Sequence, residues 1–136
     1  ADGARGAGPS VLVIDDEPAV RDMLVDLLGE MGCRTSSARN VAGAREVFAP
    51  ERFDVVLLDQ TLPDGAGREL AGEIRVRDPF VAVVLMTGLD RSAEIEDADS
   101  GQVDLTAVKP LSWDDIRGLV DKGAALSERR RKTGES

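Results

Sequence analysis

The chain contains no histidine and no tyrosine, one cysteine, one tryptophan and three phenylalanines in 136 residues. The missing histidine removes Ser-His-Asp triads, most zinc sites and any phosphohistidine carried by this chain itself. Cys33, alone, has no partner for an internal disulfide, which fits a reducing cytoplasm and leaves it as a small buried hydrophobe. Long apolar runs are also missing. The longest, Val55 to Leu58 and Val81 to Met86, fall far short of a membrane span. Residues 1–9 form a Gly/Ala-rich leader without the apolar stretch of a signal peptide. Positive charge is short: 17 Lys and Arg against 26 Asp and Glu give a net charge of −9. That balance argues against direct nucleic-acid binding and for a cation or a basic partner.

What the chain does have is alternation. Ser10 to Ile14, Phe53 to Leu58 and Val81 to Met86 read as buried parallel strands, with weaker candidates at Cys33 to Ala38 and Val103 to Val108. Helical spacing lies between them. Pro18 opens a first helix that Gly32 closes, and Asn40 caps a second, with Val41, Ala44, Val47 and Phe48 on one face. Gly67 to Val76 forms a third, and Ser112 caps the last, with Ile116, Leu119 and Val120 inward. Asp90 to Ser100 completes the count as an acidic, thinly apolar helix, expected to be loosely packed and mobile. Five strands alternating with five helices predict an α/β fold with a parallel sheet covered on both faces. The bounds expected are a leader over 1–9, one domain over 10–127 and a basic tail over 128–136. The Arg129-Arg130-Arg131-Lys132 run in that tail reads as a solvated, frayed helix end. Trp113 is expected to pack the last helix, and Met23, Met31 and Met86 to fill the core.

In an open parallel sheet, ligands bind beyond the carboxyl ends of the strands. Asp15, Asp16 and Glu17 follow the first strand, Asp59 the third, Thr87 and Gly88 the fourth, Lys109 and Pro110 the fifth. Each alone has a bland reading: a helix N-terminal acidic cluster, a loop cap, a turn, a surface lysine. Their conjunction on one rim does not. Crowded carboxylates raise one another's pKa unless a cation neutralises them, and Mg²⁺ suits a site with few carboxylates and room for other oxygens. An Asp nucleophile beside such an ion, with Lys109 and Thr87 near the phosphoryl oxygens, is a phosphoacceptor.

Val11-Leu12-Val13-Ile14-Asp15-Asp16-Glu17-Pro18, Asp54-Val55-Val56-Leu57-Leu58-Asp59, Leu62-Pro63-Asp64-Gly65-Ala66-Gly67, Thr87-Gly88 and Val108-Lys109-Pro110 together resemble the receiver domain of response regulators. The resemblance implies a flavodoxin-like, doubly wound five-stranded parallel sheet of strand order 2-1-3-4-5. It implies phosphorylation at Asp59, with Asp16, Asp59 and the backbone carbonyl of Thr61 as Mg²⁺ ligands and Asp15 acting through water. Lys109 resembles the lysine that pairs with the phosphoryl group, Thr87 the switch hydroxyl, with Gly88 beside it, and Pro110 a proline after a cis peptide. A histidine kinase or histidine phosphotransfer domain is the implied donor, and the domain is implied to be a phosphoacceptor, not an enzyme in its own right. The wording around Asp59 and the leader resemble receivers fused behind a histidine kinase in one parent chain.

Thr106 departs from the pattern, standing where the family usually has an aromatic that turns inward on activation. Thr61 and Leu89 fill the two positions that tend to set phosphoryl lifetime, and neither is a water-orienting acid or amide. Three other readings share parts of the pattern. A flavodoxin-type flavin domain would want Ser, Thr or Gly where Asp15-Asp16-Glu17 stands. A haloacid-dehalogenase-like phosphatase would carry its nucleophile after the first strand. A pseudo-receiver would bind partners without phosphorylation, and Thr106 leaves room for it.

Overall fold

A computed structural model describes residues 8–88 and 103–134. Five strands form one parallel sheet: β1 (Ser10–Ile14), β2 (Arg34–Ala38), β3 (Val55–Asp59), β6 (Ala82–Thr87) and β7 (Leu105–Val108). Their order is β2-β1-β3-β6-β7, which is the expected 2-1-3-4-5 once the short hairpin β4 (Thr61–Leu62) and β5 (Gly65–Ala66) is set aside. Helices α1 (Pro18–Glu30), α2 (Val41–Val47), α3 (Gly67–Arg77) and α4 (Trp113–Thr133) cover the faces. The expected helix over Asp90 to Ser100, and with it Leu89, lies outside the described residues.

Strand periodicity builds two cores. Leu12, Ile14, Val56, Leu58, Val83 and Leu85 face Val41, Ala44, Leu70 and Ile74 on one side. Val11, Val13, Leu57, Val84 and Met86 face Leu24, Leu28, Ile116 and Val120 on the other. Buried Cys33 joins the second cluster.

Strands β3 and β6 each run one residue past their expected ends. Asp59 pairs with Met86 and Thr87 with Val108, so the ladder extends beyond the apolar run. The apolar run marks the core, whereas hydrogen bonding carries the strand one residue further, onto the functional rim. Strands β3 and β7 also begin two residues later than read, leaving Phe53 and Val103 outside the ladder. Phe48 leaves α2 with an extended backbone and stacks on Phe53 at 6.0 Å between centroids.

The C-terminal segment differs from its reading. Helix α4 does not fray at Ser127 but continues to Thr133, where Gly134 ends it with φ +74°. Ser127 is fully buried. Arg130 and Arg131 are not solvated, because they reach Asp104 and Asp78 at the amino edge of the sheet. The basic run is therefore part of the packed domain through those two residues. Trp113 (41% exposed) and Met23 (43%) are also corrected: both lie at the surface, while Met86 alone of the methionines is fully buried.

Candidate functional site

Three carboxylates meet at the carboxyl ends of β1 and β3. Oxygens of Asp15, Asp16 and Asp59 all lie within 4.8 Å of one another. Asp15 is fully buried, Asp59 nearly so, and Asp16 exposed. Asp15 closes a tight turn by accepting from the Glu17 N–H at 3.0 Å, ahead of Pro18 at the first position of α1. The Arg21 guanidinium, one turn into α1, donates to the Asp15 carbonyl at 2.8 Å and holds the start of that loop.

Lys109 crosses from the end of β7 and bridges two of the acids, with Nζ 2.9 Å from Asp15 Oδ2 and 3.3 Å from Asp59 Oδ2. The Lys109–Pro110 peptide is cis, as the resemblance implies, and the Lys109 N–H donates to the Thr87 carbonyl at 2.7 Å. Thr87 is buried at the end of β6 beside Gly88, so the expected hydroxyl-bearing position lies on the same rim.

The two oxygens of Asp59 have different partners. Oδ1 accepts from the Thr61 N–H at 3.2 Å, and Oδ2 faces Lys109. Behind it, Gly67 allows close backbone approach: a Cβ there would lie against the Asp59 carbonyl oxygen and 2.9 Å from Gln60 Cα. Burial pushes the Asp59 carboxyl above its ordinary value, with the Asp15 charge adding to the rise and the Thr61 and Lys109 hydrogen bonds opposing it. Burial alone would lower Lys109, but the two carboxylates outweigh it and raise its pKa. Among the described residues, Lys109 is the one cation in ion-pair reach of Asp15 or Asp59. The cluster thus keeps a surplus of negative charge. All-oxygen donors with such a surplus fit a small hard divalent cation.

A family model described as the response regulator receiver domain matches residues 11–121. The chain belongs to that family. It is 40% identical over 110 residues to the response regulator protein PilR of Pseudomonas aeruginosa, covering 80% of this chain and 24% of that protein. It is 30% identical over 112 residues to sporulation initiation phosphotransferase F of Bacillus subtilis, covering 82% of this chain and 90% of that one. Among solved structures, the response regulator TrrA of Thermotoga maritima, in complex with Mg²⁺-BeF, aligns with a TM-score of 0.75 and 32% identity over 85% of this chain and 99% of that one. The chain is a phosphoacceptor domain of two-component signalling. The flavin and phosphatase readings find no support. Among the described residues, no helix is long and apolar enough to cross a membrane.

The receiver fold brings Asp15, Asp16, Asp59, Thr61, Thr87 and Lys109 to one rim and leaves Thr106 apart from it. Thr106 is exposed and lines a groove of about 490 Å³ with Val108, Leu111, Gly118, Leu119 and Lys122. Two contributors escaped the sequence reading. Arg21 could have been suspected, since a cation one turn after an acidic turn faces back toward it. Asp64 entered only as part of the Leu62-Pro63-Asp64-Gly65-Ala66-Gly67 match, yet its carboxylate accepts from the N–H groups of Val41 and Ala42, across a gap that sequence spacing does not reveal.

Proposed function

We propose that Asp59 is the phosphorylated residue of this receiver. In this reading Asp15, Asp16, Asp59 and the Thr61 carbonyl hold Mg²⁺, and a phosphohistidine of a kinase or phosphotransfer domain is the donor. The observation that carries it is the crowding of three carboxylates, of which the two buried ones share a single lysine. Bound Mg²⁺ would supply the positive charge that the cluster lacks and help offset charge on the phosphoryl oxygens. An Asp59 carboxylate oxygen forms the new O–P bond as the donor's N–P bond breaks and the imidazole leaves. A carboxylate has no proton to lose, so no general base is required. Positioning and electrostatics do the work.

Lys109 ties Asp59 to Asp15 before the reaction and is placed to meet the incoming phosphoryl group after it. The buried Thr87 stands beside it as the second phosphoryl contact. The module receives a group and holds it; it is not proposed to turn over a substrate. Incubation with Mg²⁺ and acetyl phosphate, followed by intact-mass measurement, should show a phosphate adduct that chelator prevents and Asp59→Asn removes. An adduct that persists in Asp59→Asn would overturn the assignment. No adduct in the parent protein would favour a partner-binding module without phosphorylation.

A further inference from the structure

We propose that Asp64 is a positioning residue for this site: it ties the β4–β5 hairpin to α2 and so holds Thr61 against the Asp59 carboxylate. The inference rests on the reading of Asp59 and Thr61 given above and adds a residue that stands outside the cluster.

Asp64 sits at the tip of the hairpin. Its Oδ1 accepts from the Val41 N–H at 2.7 Å and its Oδ2 from the Ala42 N–H at 3.1 Å. These are two of the backbone donors that a helix N-terminus leaves without partners inside the helix. An ionised acceptor makes both bonds stronger, and its pKa is held below the ordinary carboxylate value, chiefly by the Val41 bond. The third donor, Gly43 N–H, goes to Asn40 Oδ1 at 2.7 Å. The start of α2 therefore has two caps of different origin. Asn40 belongs to the helix itself, whereas Asp64 arrives from 22 and 23 residues away.

Only the second cap connects to the site. The hairpin pairs Thr61 with Ala66 and Leu62 with Gly65. Leu62 is buried in the same cluster as Val41, and a Cβ at Gly65 would stand 3.0 Å from Val41 Cγ2, so the hairpin lies directly against α2. At its other end, Thr61 N–H holds Asp59 Oδ1 at 3.2 Å, near the long limit for such a bond. A small displacement of the hairpin would release that oxygen and let the Asp59 carboxylate rotate. The same displacement would move the Thr61 carbonyl proposed as a metal ligand.

The two caps supply their own control. Asp64→Ala and Asn40→Ala each remove a cap from the same helix and should lower stability to denaturant by similar amounts. The positioning role predicts that only Asp64→Ala speeds hydrogen exchange at the Thr61 amide in chelator. It also predicts that only Asp64→Ala weakens Mg²⁺ binding by calorimetry, by about tenfold, the usual scale for losing a group that orients a ligand. Asp64→Asn, which keeps one acceptor oxygen, should recover part of both losses and serves if the alanine variant fails to fold. Parent-like Thr61 exchange and Mg²⁺ affinity in Asp64→Ala would overturn the proposal. So would Asn40→Ala reproducing both effects. If the parent protein itself takes up no Mg²⁺, the metal-site reading fails, and Thr61 exchange still decides the role of Asp64.

Discussion

Buried aspartates stand at both ends of the sheet, and they live in opposite surroundings. At the amino edge, Asp104 accepts from the Arg75 and Arg130 guanidinia and from the Val83 N–H. Asp78 accepts from Arg131 and from the Glu51 and Phe80 N–H groups. Burial alone would raise both acids, but these bonds outweigh it and hold both below the ordinary value. At the carboxyl rim, Asp59 and Asp15 share one lysine, and Asp59 is raised. A fold that can satisfy its buried acids at one end leaves them short of positive charge at the other. Charge shortage at a buried position, more than acidity itself, is what marks the functional end.

The largest effect should come from breaking the satisfied end. Asp104→Ala removes the carboxylate that two mostly buried guanidinia share, and loss of one partner from such a pair costs about 3–5 kcal/mol. Denaturant unfolding should show that loss, whereas an equally large loss from Asp16→Ala, whose side chain is exposed, would erase the contrast between the ends.

A middle-sized effect should appear in acid. The folded pKa values of Asp78 and Asp104 lie below the reference 3.8, so their contribution is fully present above about that pH and is lost as pH falls through the folded values. Asp78→Asn should therefore flatten the acid limb of the stability profile while lowering stability at neutral pH. An unchanged acid limb would mean that the Arg131 pair does not act through charge.

Much of the rim was legible from sequence because Asp15, Asp16, Asp59, Thr87 and Lys109 follow apolar strand runs, and strand ends are what a parallel sheet gathers at one edge. Asp15 and Asp16 follow Val11-Leu12-Val13-Ile14, and Lys109 follows the run read as Val103 to Val108, so no long-range contact had to be guessed. The amino edge was opaque for the opposite reason. Arg130 and Arg131 sit in a run of four cations, whose default is solvent, and their partners lie 26 and 53 residues earlier in the chain. Nothing local distinguishes those two from Arg129 and Lys132. Trp113 misled because size suggested burial, whereas its place at the first turn of α4, next to the Ser112 cap, faces water.

The contrast between the two ends is tested most directly by the thermal stability of Asp59→Asn, measured in chelator and in saturating Mg²⁺. The Asp59 pKa is raised in the folded protein, so its contribution is present below the unfolded value and lost as pH rises through the folded one. At neutral pH without metal, its ionisation therefore opposes folding. The account predicts that Asp59→Asn melts above the parent protein in chelator and gains less from Mg²⁺ than the parent does. A variant that melts below the parent in chelator, or gains as much from Mg²⁺, would contradict it.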